Sequence, residues 1–193
     1  MKEIIKSEFE KSLQIINNSK NIVSEIEQAV NCIFDCLITG NKIVICGNGG
    51  SAADAQHIAA ELIGRFKLER KSYPAIALSV DSSVITSLSN DYSFDIIFSR
   101  QCESLVIQND VVIGISTSGN SENVRNAVLT SKAHGAKTIG LLGNMGGNIA
   151  ELVDIPIIVP SSITSKIQEV HRIIYHIICE LVEKKMNEEL KDD

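Results

Sequence analysis

Hydrophobic spacing changes character at Gly40. Before it, apolar residues recur three and four apart, with Ile22, Ile26, Ala29, Ile33 and Leu37 on one stripe. That is the spacing of a helix with one buried face. The polar stretch "NNSKN" interrupts the pattern, which predicts two helices over 1–40, with Gly40 as the C-terminal stop. Beyond Gly40 come short, unbroken apolar runs: "KIVIC" (42–46), "AIALSV" (75–80), "VVIGIS" (111–116), "TIGLL" (138–142) and "IPIIV" (155–159). Unbroken rather than alternating apolarity indicates strands buried on both faces, as in a parallel sheet. Helical patterns over 51–64, 121–134 and 163–187 alternate with them. The expectation is one α/β domain over 1–193: a helical pair at 1–40, then a doubly wound core at 41–193 with a five-stranded parallel sheet.

Composition narrows the chemistry. Hydrophobic residues make up 44% of the 193, aromatics only 4%, and Trp is absent, so the core is aliphatic. A net charge of −6 argues against a basic nucleic-acid footprint. It leaves a phosphorylated small molecule open, because backbone N–H groups hold phosphate without global positive charge. The five cysteines (32, 36, 46, 102 and 179) form no even framework and no CxxC, which fits a reducing compartment. Cys32 and Cys36, one turn apart, read as a helix face. The first residues mix charge with apolar side chains, unlike a signal peptide, and no apolar run is long enough to span a bilayer. A cytoplasmic protein with no membrane or nucleic-acid partner is expected.

In open α/β sheets, ligands sit outside the carboxyl ends of strands. Two such ends are unusual here: "CGNGGSAAD" after the first strand and "GISTSGNSENV" after the third. Glycines let backbone N–H groups approach a ligand, Ser51 is placed to cap the following helix, and the second loop is dense in hydroxyls. Either loop alone reads as an ordinary turn; the two together indicate an anion site. Neither the GxGxxG spacing nor GxxxxGK[ST] occurs, which disfavours dinucleotides and nucleoside triphosphates and favours a sugar phosphate. His57 and Glu61, at i and i+4, share a helix face and suit either a surface hydrogen bond or metal and proton chemistry. The last helix carries Gln168, His171 and His176. His176 falls within "IIYHIICELV", where burial is expected, as a hydrogen-bonded core histidine or as a site residue. His171 reads as ordinarily packed or exposed, with support of a site residue as the alternative. His134 reads as a helix C-terminal residue before Gly135.

Taken together, "CGNGGSAADAQHIAAELIGRF", "SND", "GISTSGNSENV" and "KIQEVHRIIYHIICELVE" resemble the bacterial phosphoheptose isomerases of the sugar isomerase (SIS) fold family. The resemblance covers nearly the whole chain. It implies a three-layer, flavodoxin-like SIS fold and a homotetramer. It also implies isomerisation of sedoheptulose 7-phosphate to D-glycero-D-manno-heptose 7-phosphate through an enediol, toward nucleotide-activated heptose for lipopolysaccharide or capsule. One Zn2+ per subunit is implied on His57, Glu61, Gln168 and His176. Substrate is implied on Asn48, Gly49, Gly50, Glu61, Asn90, Asp91, Ser116, Thr117, Ser118, Ser121 and Gln168. Glu61 takes the role of base and His176 that of partner acid/base. Two local departures are Ser89, where Gly is frequent, and the individual approach "PSSITSKIQ". Two rivals differ in class or substrate. Non-catalytic SIS proteins that associate with the replication initiator share the "GNG.SAA.AQH" stretch but lack the Glu and His pair. Isomerases of pentose or hexulose phosphates share only the "STSG" loop.

The implied ligand set raises a geometric question. Gln168 and His176 are eight residues apart, about 12 Å along a continuous helix. Zinc–ligand bonds are about 2 Å long. Either the helix begins after Gln168 or the two ligands come from different subunits. The Ala-rich face of 51–64 and the apolar faces of the first and last helices favour the second route, with active sites at subunit interfaces.

Overall fold

The computed structural model describes residues 1–192. The N-terminal pair is α1 (Lys2–Asn18) and α2 (Val23–Ile38), separated by a 3-10 turn at Ser19–Ile22, where the polar stretch predicts a break. The core follows: β1 (Ile43–Gly47), α3 (Gly50–Ile63), β2 (Ala75–Ala77), α4 (Ser82–Asp91), α5 (Ser99–Leu105), β3 (Val111–Ser116), α6 (Glu122–Ala133), β4 (Lys137–Leu142), α7 (Gly147–Ala150), β5 (Ile155–Ile158) and α8 (Thr164–Asp192). All five strands are parallel, in the order β2-β1-β3-β4-β5. This is the flavodoxin-like order, with its switch point between β1 and β3.

The sheet is covered on both faces, which is why its strands are apolar at every position. All five residues of β1 and all six of β3 are buried. One face packs Ile43, Ile45, Ile113 and Ile139 against Ile33 of α2, Ile58 and Leu62 of α3, and Tyr175 and Ile178 of α8. The other packs Val44, Val112 and Leu142 against Cys102 of α5, Val124 and Val128 of α6, and Ile149 of α7. The five cysteines are free thiols.

One strand is shorter than predicted, two helices lie where none was predicted, and one of two alternatives is closed. The run 75–80 forms a strand only over Ala75–Ala77, because the chain turns at Leu78 into the second core cluster. Helices α4 and α5 fall in a stretch with no predicted element; α4 packs half-buried Ile85 and Leu88 on the second core cluster. Helix α8 begins before Gln168, so the first of the two routes for the Gln168–His176 spacing is closed.

Candidate functional site

Two loops flank the switch point. Gly49, at φ 55, is the N-cap of α3, and no side chain caps the helix. Ser51 is therefore not the cap that its position suggests. The helix begins one residue earlier, and Ser51 lies buried in its first turn, its N–H bonded to the Asn48 carbonyl at 2.9 Å. In the first turn of α3 the N–H groups of Ser51, Ala52 and Ala53 bond the carbonyls of Asn48 and Gly49, and none bonds a side chain. At the neighbouring strand end, Ser121 is the N-cap of α6, also without a side-chain cap. Its hydroxyl instead lies 3.0 Å from that of Ser116, which in turn lies 3.4 Å from Ser118. Two helix N-termini and three hydroxyls at one switch point form an anion-accepting surface. The half-buried Thr117 completes this loop.

Asn48 joins the loops. Its amide and that of Asn123 exchange two hydrogen bonds, 2.8 and 3.0 Å, and Asn123 also accepts from the Val124 N–H. Gly119, at φ 69, meets the backbone of Gly146 and Gly147 so closely that a Cβ there would overlap it. The β3–α6 and β4–α7 loops are therefore seated on each other.

Helices α3 and α8 run side by side and bring His57, Glu61 and His176 together. Their ligand atoms all lie within 4.8 Å of one another. His57 Nε2 is 2.9 Å from Glu61 Oε1, and its other nitrogen, Nδ1, is 3.1 Å from the Tyr175 hydroxyl. Tyr175 is in turn 3.3 Å from Asp54 Oδ1, and Arg172 bonds both, at 3.1 Å each. The Tyr175 hydroxyl has one proton to give, to Asp54 Oδ1 or to His57 Nδ1, and the tautomer of His57 follows from that choice. Two imidazoles and a carboxylate, one imidazole oriented from behind by a hydrogen bond, make a donor set that fits zinc. Burial, and then the neighbouring His57, hold the His176 imidazole below its ordinary pKa, so that it gives up a proton more readily than a free imidazole.

His176 is half-buried rather than buried; the apolar neighbours Ile173 and Ile177 are exposed on α8. The fully buried histidine is His171, whose Nε2 bonds the Leu142 carbonyl at 3.1 Å and whose Nδ1 has no hydrogen-bond partner. Of its two readings, the packed one holds. His134 ends α6 as expected, with Nδ1 2.8 Å from the Thr130 carbonyl.

Not every expected residue converges. Gln168 lies with its amide against Gly50, where a Cβ would overlap it. Gly50 and His57 are seven residues apart on α3, about 10 Å, so within one subunit Gln168 accompanies the glycine loop and not the His57–Glu61–His176 cluster. Asn90 and Asp91 are exposed at the end of α4, bonded to each other at 2.8 Å and to neither loop. The sequence reading missed Tyr175, Asp54, Arg172 and Asn123. Asp54, one helical turn before His57, was the only one of these with a readable spacing.

Comparison with known proteins yields a consistent set of relatives. The SIS domain family profile matches residues 9–143. A phosphoheptose isomerase of Geobacter sulfurreducens is 52% identical over 167 residues, 86% of this chain and 88% of that protein. One from Geotalea daltonii is 50% identical over 187 residues, 96% of this chain and 97% of that one. The solved structure of a phosphoheptose isomerase from Neisseria gonorrhoeae superposes with a TM-score of 0.91 at 38% identity, covering 95% of this chain and 98% of the other.

Proposed function

Because the chain belongs to the SIS domain family, and within it to the phosphoheptose isomerases, we propose that it converts sedoheptulose 7-phosphate to D-glycero-D-manno-heptose 7-phosphate, toward nucleotide-activated heptose for a surface glycan. The observation that carries this reading is the convergence of Glu61 and His176 on α3 and α8, in a subunit whose α3 and α6 begin without side-chain caps. An aldose–ketose isomerase holds a phosphate at one place and moves a proton at another, and these two features suit those two tasks.

The ketose reaction needs a base at C1, an acid at O2 and stabilisation of developing oxyanion character. Glu61 takes the C1 proton as the C1–C2 double bond forms, and His176 gives a proton to O2. The return step moves the O1 proton to His176 and the Glu61 proton to C2, restoring both groups. The phosphate is held by the first turns of α3 and α6, with Asn48, Gly49, Gly50, Ser116, Thr117, Ser118 and Ser121 around it. Zinc on His57, Glu61, His176 and a second subunit's Gln168 would supply positive charge at the substrate oxygens. Asn90 and Asp91 stand apart within one subunit, so their substrate role also requires a neighbouring copy.

A homotetramer with shared sites is part of this reading. The exposed apolar residues Ile4, Phe9 and Leu13 on α1, and Ile173, Ile177 and Leu181 on α8, support it. We place this assembly in the cytoplasm, as one SIS domain over 1–193. The test is direct: sedoheptulose 7-phosphate incubated with the protein yields the aldose heptose 7-phosphate, with light scattering on the same sample reporting a tetramer. No aldose product overturns the substrate assignment, and a fully active monomer overturns the shared site.

A further inference from the structure

The chain between α3 and β2 is held by a clamp that the reaction scheme does not use. Glu183, on α8 two turns beyond His176, is buried. Its carboxylate accepts the backbone N–H groups of Phe66, Lys67 and Leu68 at 3.0, 2.7 and 2.8 Å, and the Arg70 Nε at 3.0 Å. Arg70 is equally committed. Its guanidinium donates to the carbonyls of Glu61 and Leu62 at 2.8 and 2.9 Å, closing the C-terminal end of the helix that carries His57 and Glu61. It also stacks 3.8 Å over the Tyr73 ring. The strap so held presents Phe66, whose ring lies 5.6 Å from that of His176 at an interplanar angle of 32°.

One buried ion pair therefore touches three things at once: the last turn of α3, the strap 66–68, and α8 below His176. A buried carboxylate with four donors and a fork bonded to helix-end carbonyls is a rigid junction, not a surface pair. Its location, at the base of two helices whose side chains meet, lets it set their separation. Mere loop fastening would need no aromatic ring against an imidazole.

We propose that Glu183 and Arg70 are positioning residues, which act through Phe66 on the placement of His176 against Glu61. This rests on the reading of Glu61 and His176 as the reacting pair. Misplacement of reacting groups by about 1 Å costs on the order of 100-fold in rate, so the effect belongs in kcat rather than in KM.

The experiment compares wild type, Glu183→Gln, Phe66→Leu and the double variant on sedoheptulose 7-phosphate. Each single substitution is expected to lower kcat by roughly 10-fold or more with KM within about twofold, and the double variant to be no slower than the worse single one. A Glu183→Gln protein with wild-type kcat, or losses that multiply in the double variant, overturns the proposal. If Glu183→Gln does not fold, Phe66→Leu decides alone, and wild-type kcat there overturns it. If the wild type itself does not turn over this sugar, the substrate assignment has failed and zinc titration of the apoprotein decides instead. A roughly 10-fold weaker zinc affinity in Phe66→Leu supports the positioning role, and an unchanged affinity overturns it.

Discussion

The two edges of the sheet use similar residues to opposite ends. At the amino edge two aspartates are fully matched. Asp110, just before β3, accepts the Lys42 backbone N–H at 3.1 Å, the Lys42 ammonium at 2.6 Å and the Ile107 N–H at 2.8 Å. Burial alone would raise its pKa, but the Lys42 ammonium and these N–H groups hold it below the ordinary range. Asp154, just before β5, does the same with the Thr138 N–H and hydroxyl and the Lys132 ammonium, at 2.8, 2.8 and 2.9 Å. At the carboxyl edge the N-termini of α3 and α6 carry no side-chain cap, and along the facing α3 and α8 the residues His57, Glu61 and His176 bring their ligand atoms within 4.8 Å of one another. A satisfied edge holds the strands in register; helix starts without caps and three clustered ligand atoms suit something not part of the chain.

The comparison can be broken most sharply at the α3–α8 cluster. Glu61→Gln and His176→Ala should each lower kcat by about 100- to 10,000-fold, while the melting temperature stays close to that of wild type. Steady-state kinetics with thermal denaturation on the same preparations checks this. A large melting-temperature loss would mean that the cluster serves the fold rather than the chemistry.

The amino edge should respond the other way. Asp110→Asn leaves the Lys42 ammonium without its carboxylate and should destabilise the protein by about 3 kcal/mol, measured by urea denaturation, with kcat unchanged in the folded protein. A fall in kcat without a fall in stability would erase the distinction between the edges.

The smallest effect is expected at His171, which is buried between them. Burial holds its pKa below the ordinary value, against the opposing pull of its bond to Leu142. A depressed pKa means that the unfolded chain binds more protons. The stability from keeping His171 neutral is therefore complete above its unfolded pKa of about 6.5 and is lost as pH falls from there through the lowered folded value. His171→Leu should cost about 1–3 kcal/mol at pH 7.5, because Leu142 loses its donor. It should also flatten the decline in melting temperature between about pH 6.5 and 5. An equally steep decline in the variant would assign that pH dependence to other groups.

Much of this was legible in the sequence, for physical reasons. Strands such as 111–116 announce themselves because both faces of the sheet are covered, leaving no polar position to confuse the run. The glycine and serine loops were readable because an anion-accepting turn needs those residue types. Helix α4 was not read, because its stripe of Val84, Ile85 and Leu88 is short and only half-buried. Nor was Tyr175, whose importance arises only where α8 lies beside α3, 118 positions from His57 along the chain. His171 and His176 illustrate the same limit: five residues apart on one helix, they differ by which face meets the sheet, and a helix apolar on most sides does not reveal that.

The reciprocal amide bond between Asn48 and Asn123 has a thermodynamic consequence for ligand capture. Two loops from different strands are already joined before anything binds, so their loss of conformational freedom belongs to folding and not to association. An incoming phosphate meets a surface whose donors are fixed. The heat and entropy of its capture should then report desolvation and charge pairing, with little contribution from ordering the chain.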